Sequence, residues 1–247
     1  EGLLSRFRDD SELSALNRSG NLRSGPELAQ VTQLAVEAGL RTDGRFDPTV
    51  HDALVAAGYD RTFEELQDRV AVTTAPPRCG GRITVDPRTG LIELEPGFRL
   101  DLGGIAKGYA VDLLCDMLAA AGPCLVAAGG DIAVRGGSWP VGVETADGVL
   151  TLQLTGGAVA TSGIDRRSWS SDVGPAHHVI DPATGRPADR DLLRVTVFAD
   201  SAAEAVVLAK SLYLAGAGQA AREADDLGTP AVLVTKDGRT VLAGGLS

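Results

Sequence analysis

The sequence predicts an α+β fold of largely antiparallel or mixed sheets with packed helices. Three observations carry this expectation. Apolar–polar alternation comes in neighbouring runs joined by turn residues, as hairpins require. Helical periodicity is confined to a few separated segments. Strand–helix–strand repetition is weak, which argues against a doubly wound parallel sheet. The 247 residues, 44% hydrophobic and 23% charged, suffice for a sizeable core, as one domain over 1–247 or two closely packed lobes.

The elements follow in chain order. The opening EGLLSRF (1–7) reads as the last turns of a helix, and Met117 is the one methionine. The natural start, with any targeting signal, is therefore expected upstream. Pro26–Gly39 carries Leu28, Val31, Leu34 and Ala35 on one helical stripe. A shorter helix is expected over Phe63–Val70. RITVDPRTGLIEL (82–94) is a hairpin turning on Asp86-Pro87. Ile105–Ala121 is a helix with Ile105, Tyr109, Leu113, Met117 and Ala121 at steps of four. CLVAAGGDIAVRG (124–136), GVLTLQLTGGAVAT (148–161) and LRVTVFAD (193–200) are strand candidates. Ser201–Ala215 opens with the capping box Ser201/Glu204, and Lys210 is the only charge between Ala205 and Gly216. AVLVTKDGRTVLAGG (231–245) is a closing hairpin turning on Asp237-Gly238.

Charge narrows the partners. With 33 acids against 23 bases the net charge is −10, and no basic stripe interrupts it. Such a surface repels nucleic acid. An anionic ligand must be held locally, by backbone N–H groups and a few placed cations. No run reaches the ~18–20 apolar residues of a membrane span. Cys79, Cys115 and Cys124 are too few and too scattered for a disulfide framework or zinc site. They read as reduced core residues, which points to the cytoplasm.

Four clusters carry candidate chemistry. In FRLDLGGIAKGYAVD (98–112) a strand ends at Asp101, and Gly103-Gly104 precede a helix. Open N–H groups there suit a diphosphate, with Lys107 one turn in; the other reading is a tight turn that needs glycine. The spacing fits neither a Walker loop nor a dinucleotide fingerprint. In AAGGDIAVRG (127–136), Gly129 and Gly130 permit close approach of a flat ligand and Asp131 offers an acceptor; the other reading is a bulged strand end. In ATSGIDRRSW (160–169), Arg166 or Arg167 meets phosphate or faces solvent. In HHVIDPATGRP (177–187), His177 and His178 point to opposite sides of a strand, so one of them can face a given site. Histidine suits proton transfer near neutral pH. DPATG also repeats the turn chemistry of DPRTG (86–90).

Taken in order, these segments resemble the ApbE family, the FAD:protein FMN transferases. The resemblance begins at SRFRDDSELSALN (5–17) and DGRFDPTV (43–50). It continues through LDLGGIAKGYAVD, GGD, ATSG, HHVIDPATGRP and VTVFADSAAEAVVLAKSLYLAG. It spans nearly the whole chain, less the family's N-terminal strand. It implies a central cleft that binds FAD, cleavage of the FAD pyrophosphate, and transfer of FMN to a threonine or serine of an acceptor flavoprotein. Magnesium neutralises the diphosphate in such proteins.

The resemblance also implies residue roles. Phe7 stands where an aromatic meets the flavin nucleotide. Arg45, Phe46 and Asp47 line the FAD cleft, and Asp101, Lys107 and Ile180 match further FAD contacts. Gly104 offers a backbone carbonyl to the metal. His178 is the candidate for proton transfer and Asp181 for orienting or metal-facing work. The late helix departs from the family. Its aspartate and threonine, both magnesium ligands, are replaced here by Val206 and Lys210. Lys210 either puts its ammonium where the metal would lie or snorkels to solvent. Two rival activities remain beside transfer: hydrolysis of FAD to FMN and AMP, and FAD binding without turnover.

Overall fold

A computed structural model of the chain describes residues 2–66, 76–172 and 174–246. The chain divides into two compact units, each made of two separated stretches. One comprises Glu1–Gly104 and Arg166–Ala188, the other Ile105–Asp165 and Asp189–Ser247.

In the first unit, the opening residues form turns and not the expected helix end. Their backbone is tied to the next element instead: Leu3 O accepts from Leu13 N and Ser5 O from Ser11 Oγ. That next element is α1 (Glu12–Ser19), which the sequence reading missed. It starts at Ser11, whose side chain accepts from Ser14 N, and ends at Gly20 with φ 74°. Both caps are sequence signals. α2 (Pro26–Arg41) has proline in its first turn and buries Leu28, Val31, Ala35 and Ala38, close to the expected stripe. α3 (His51–Ala56) is a short helix, also missed.

The helix expected over Phe63–Val70 reduces to a single 3-10 turn, Phe63–Glu65; its residues 67–70 lie outside the described residues. β1 (Asn21–Arg23), β2 (Ile83–Asp86) and β3 (Leu91–Leu94) form an antiparallel sheet in the order β1-β3-β2. The β2–β3 hairpin turns where the sequence places it.

The strand expected to end at Asp101 does not form: β3 stops at Leu94, and α1 fixes the irregular segment that leads to Asp101. Asn17 donates to Leu100 O at 2.8 Å and accepts from Leu100 N at 2.7 Å. Ala53, Leu54, Ala57, Trp169, Ala176 and Ile180 form a core cluster of this unit.

The second unit is built on six antiparallel strands. These are β4 (Cys124–Ala128), β5 (Asp131–Thr145), β6 (Gly148–Gly163), β11 (Leu192–Ala199), β12 (Ala231–Thr235) and β13 (Thr240–Ala243). Their order is β13-β12-β11-β6-β5-β4, so chain neighbours are sheet neighbours at every step except β6–β11. β7 (Ser168–Ser171), β8 (Gly174–His177), β9 (Ile180–Asp181) and β10 (Arg186–Pro187) make two small ladders in the first unit.

Three helices complete the second unit: α4 (Ala106–Ala119), α5 (Ala202–Ala215) and α6 (Ala217–Leu227). α5 packs on β6 and β11, and α4 on β4, β5 and α5. The Ser201 cap of α5 is observed, its side chain accepting from Glu204 N at 3.2 Å. Asp112 of α4 adds a second cap, accepting from Ala202 N at 2.8 Å and Ala203 N at 2.9 Å.

The expected stripe on α4 is wrong. Leu113 and Met117 are exposed, Met117 by 66%, while Gly108, Val111 and Cys115 are buried. The reason is distance. A Cβ on Gly108 would stand 2.6 Å from Ala202 O, so α4 turns its small residues toward α5. Where backbones come this close, size outranks apolarity in choosing the buried face.

The cysteines also differ from expectation. Cys115 and Cys124 are not scattered: their sulfurs lie 3.6 Å apart.

Candidate functional site

In the first unit, the predicted residues Phe7 and Asp101 meet through Arg6. The Arg6 Nε lies 2.5 Å from Asp101 Oδ2, with side chains only 4% and 12% exposed. Arg6 Nη2 also donates to Tyr59 O at 2.6 Å. Its guanidinium carbon sits 4.1 Å from the Phe7 ring centre and 4.9 Å from that of Tyr59. Phe7 meets Tyr59 edge-on at 5.5 Å, and Tyr59 leans on Trp169 at 5.4 Å. Phe7 ends this stack at 37% exposure, so a ring surface remains for a ligand. The other Asp101 oxygen accepts from Gly103 N at 2.9 Å. That corrects one expectation: the Gly103 N–H is not open to a diphosphate, because the Asp101 carboxylate already accepts from it. Neither Gly103 nor Gly104 has positive φ.

The FDPT segment is organised by Asp47. Its Oδ1 accepts from Thr49 N and Oγ1, both at 2.7 Å, and its Oδ2 from Gly80 N at 2.6 Å. Thr49 Oγ1 accepts from Gly80 N and Gly81 N as well. The carboxylate thus fastens the 79–81 loop against Phe46-Asp47-Pro48, and Asp101 N donates to Pro48 O at 2.8 Å. A cavity of about 610 Å³ opens here, lined among others by Asp43, Phe46, Asp47, Cys79, Arg82 and Pro182. This falls within the size range of small-molecule sites. Burial, helped by the Asp47, Asp181 and Asp52 carboxylates, pushes the Cys79 thiol up to about 12. At neutral pH it is a thiol, not a nucleophile. Arg45 follows the turn at Asp43-Gly44, both with positive φ.

The two histidines stand in different environments. His177 is buried; its Nδ1 accepts from Val179 N at 3.3 Å, so the ring proton on Nε2 faces Ala188 O at 3.0 Å. His178 is half-buried, with Nδ1 3.4 Å from Arg167 O. A neutral ring that donates from Nδ1 keeps its lone pair on Nε2. Ile180 packs its side chain into the Trp169 cluster, so a ligand could meet only its backbone. Asp181 is used by its own turn. Its Oδ1 accepts from Ala183 N at 3.0 Å, and its carbonyl from Gly185 N at 2.8 Å. The turn reading of DPATG therefore holds, and Asp181 orients the loop that carries Pro182.

In the second unit, Lys107 lies one residue inside α4. A Cβ added to Gly129 would stand 3.7 Å from its Cε, so the lysine stem passes over the β4–β5 turn. Gly129 and Gly130 have φ 62° and 99°, between the paired Ala128 and Asp131. This is a two-residue hairpin turn of positive φ, not a bulged strand end. Asp131 is 4% exposed, which removes its carboxylate from the surface where an acceptor was expected.

Val206 and Lys210 stand one helical turn apart on α5. Val206 is 7% exposed and packs with Ala160 and Ala205. Magnesium requires oxygen ligands. Valine has no lone pair, and a lysine ammonium only donates. No group of three or more His, Cys, Asp or Glu among the described residues can hold a metal ion. The side chains at 206 and 210 do not fit a magnesium ion.

Sequence reasoning missed Arg6, Tyr59, Thr49 and Asp112. Arg6, Thr49 and Asp112 lie inside the motifs named above, but what marks them is a partner distant in the chain.

Comparison with known proteins places this architecture. The sequence matches the ApbE family over residues 1–233. It is 30% identical over 257 aligned positions to the FAD:protein FMN transferase of Salmonella typhimurium, covering 96% of this chain and 73% of that protein. The FAD:protein FMN transferase of Treponema pallidum is 31% identical, covering 87% of this chain and 68% of its own. Among solved structures, the ApbE protein of Thermotoga maritima matches with TM-score 0.85 at 28% identity, covering 98% of this chain and 84% of that one. The flavin transferase ApbE of Vibrio cholerae matches with TM-score 0.80 at 25% identity, again covering 98% and 84%.

Proposed function

The chain belongs to the ApbE family, and from that membership we propose that it is an FAD:protein FMN transferase. It binds FAD, breaks the pyrophosphate and passes FMN to a threonine or serine of an acceptor flavoprotein. The hydroxyl oxygen attacks the phosphorus on the FMN side; the bridging P–O bond breaks and AMP leaves. His178 takes the hydroxyl proton at Nε2. Phe7, backed by Arg6 and Tyr59, receives the flavin nucleotide, and the Phe46-Asp47 segment lines the FAD site. Phosphoryl transfer depends mostly on positioning and charge neutralisation. Here Lys107 and Lys210 are the cations that offset the diphosphate charge.

The observation that supports this reading best is the family match along 1–233, which contains the Phe7–Arg6–Asp101 cluster. The test is incubation of the protein with FAD and an acceptor flavinylated by a characterised relative. Covalent flavin on the acceptor, with AMP released in equal amount, is expected. AMP without covalent flavin would identify a hydrolase, and unchanged FAD a binding protein.

A further inference from the structure

We propose that Cys115 and Cys124 form a redox-active dithiol, a site of reversible disulfide formation that hydroperoxides oxidise. The inference rests on geometry within the second unit and is independent of flavin transfer. The two sulfurs are 3.6 Å apart. The Cys124 thiol donates to Cys115 O at 3.3 Å and the Cys115 thiol to Ala133 O at 3.4 Å, so each side chain is aimed at the other's neighbourhood. They must close about 1.5 Å to reach the ~2.05 Å of a disulfide.

The pair is asymmetric in access. Cys115 is fully buried among Val111, Ala133, Ala158 and Ala202. Cys124 is half-buried at the start of β4, the last strand of the sheet order. Cys124 therefore meets the oxidant and Cys115 resolves the product.

In the first step the Cys124 thiolate attacks the peroxide oxygen. The O–O bond breaks, the alkoxide or hydroxide takes up the thiol's proton, and Cys124 becomes a sulfenic acid. In the second step the Cys115 sulfur attacks that sulfur. The S–S bond forms, the S–O bond breaks, and the hydroxyl leaves as water with the Cys115 proton. Two thiols and one hydroperoxide give one disulfide, one alcohol or water, and one further water. The hydroperoxide gains the two electrons that the thiols lose.

The bond would brace the last turns of α4 against β4, two elements whose opposite ends carry Lys107 and Gly129. Cys79 serves as an internal control, because its thiol is held protonated at neutral pH.

The test uses the whole chain, folded, treated with hydrogen peroxide, alkylated and digested for peptide mass analysis. The expected product is a linked Cys115–Cys124 peptide with Cys79 still alkylated, and dithiothreitol should restore all three thiols. Cys115→Ser should leave Cys124 as a sulfenic acid that dimedone captures, whereas Cys124→Ser should leave Cys115 unmodified. Three alkylated cysteines after treatment, or oxidation at Cys79 ahead of the pair, would overturn the proposal. The wild-type mapping decides even if a serine variant does not fold.

Discussion

Arg6 holds the Asp101 carboxylate on one side and two aromatic rings on the other. Removing it leaves Asp101 charged and nearly enclosed. Breaking such a pair costs about 3–5 kcal/mol, because the remaining partner loses its counter-charge and has little water. Arg6→Met should therefore lower unfolding stability in urea by that order and weaken FAD binding. Asp101→Asn keeps an acceptor for Gly103 N but leaves the Arg6 guanidinium, 4% exposed, without its counter-charge, so it should cost a similar amount. A similar contrast separates the histidines. His177→Ala removes two buried hydrogen bonds and should cost about 1–3 kcal/mol of stability. His178→Ala should leave stability nearly unchanged and lower covalent flavin formation. Urea unfolding and acceptor fluorescence on denaturing gels check both; equal stability losses would contradict the assignment.

At the scale of elements, the approach of α4 to α5 decides how α4 sits. Gly108→Val would place a branched side chain against the Ala202 backbone, whose oxygen is 2.6 Å from the site of a Cβ. Overpacking of this kind costs roughly 1–3 kcal/mol. The expected result is a lower melting temperature with FAD affinity retained in the folded fraction.

α3 carries a pH dependence. Burial, the largest influence on His51, holds its imidazole below the ordinary value of 6.5, while the hydrogen bond to Asp52 opposes that shift. The 2.7 Å contact with Asp52 is therefore a hydrogen bond from a neutral ring near pH 7, not an ion pair. As pH falls, the unfolded chain takes up the proton first. The stability that comes from a neutral His51 is thus complete above about pH 6.5. It declines below that value until the folded ring also protonates. Denaturation midpoints measured from about pH 7.5 down to 5 should fall in the wild type and fall less steeply in His51→Gln.

For the whole molecule, a net charge of −10 sets the terms on which a diphosphate can bind. Local cations must do the work, and a lysine on a flexible stem does less than a divalent ion. The magnesium dependence of FAD binding should accordingly be weaker than in relatives that keep Asp and Thr on this helix. Lys210→Thr with Val206→Asp should strengthen it, and Lys210→Met should weaken FAD binding; calorimetry with and without magnesium measures each. An unchanged affinity in Lys210→Met would remove Lys210 from the diphosphate.

The hairpins at 82–94 and 231–245, the Ser201 cap of α5, the stripe of α2 and the α+β class were all legible in the sequence. So was the family, because its motifs are runs of neighbouring residues. These features depend on local rules: alternation, turn residues, and side chains that satisfy the first N–H groups of a helix. What the sequence left open depends on residues far apart in the chain. α4 carries apolar residues on more than one face, so periodicity could not say that its glycine face, and not its leucines, is buried. The pairing of Arg6 with Asp101, the occupied Gly103 N–H, the burial of Asp131 and the meeting of Cys115 with Cys124 leave no periodic trace. Tertiary structure decided them, because a contact between side chains depends on where two backbones are brought together, and that position belongs to the packed chain as a whole.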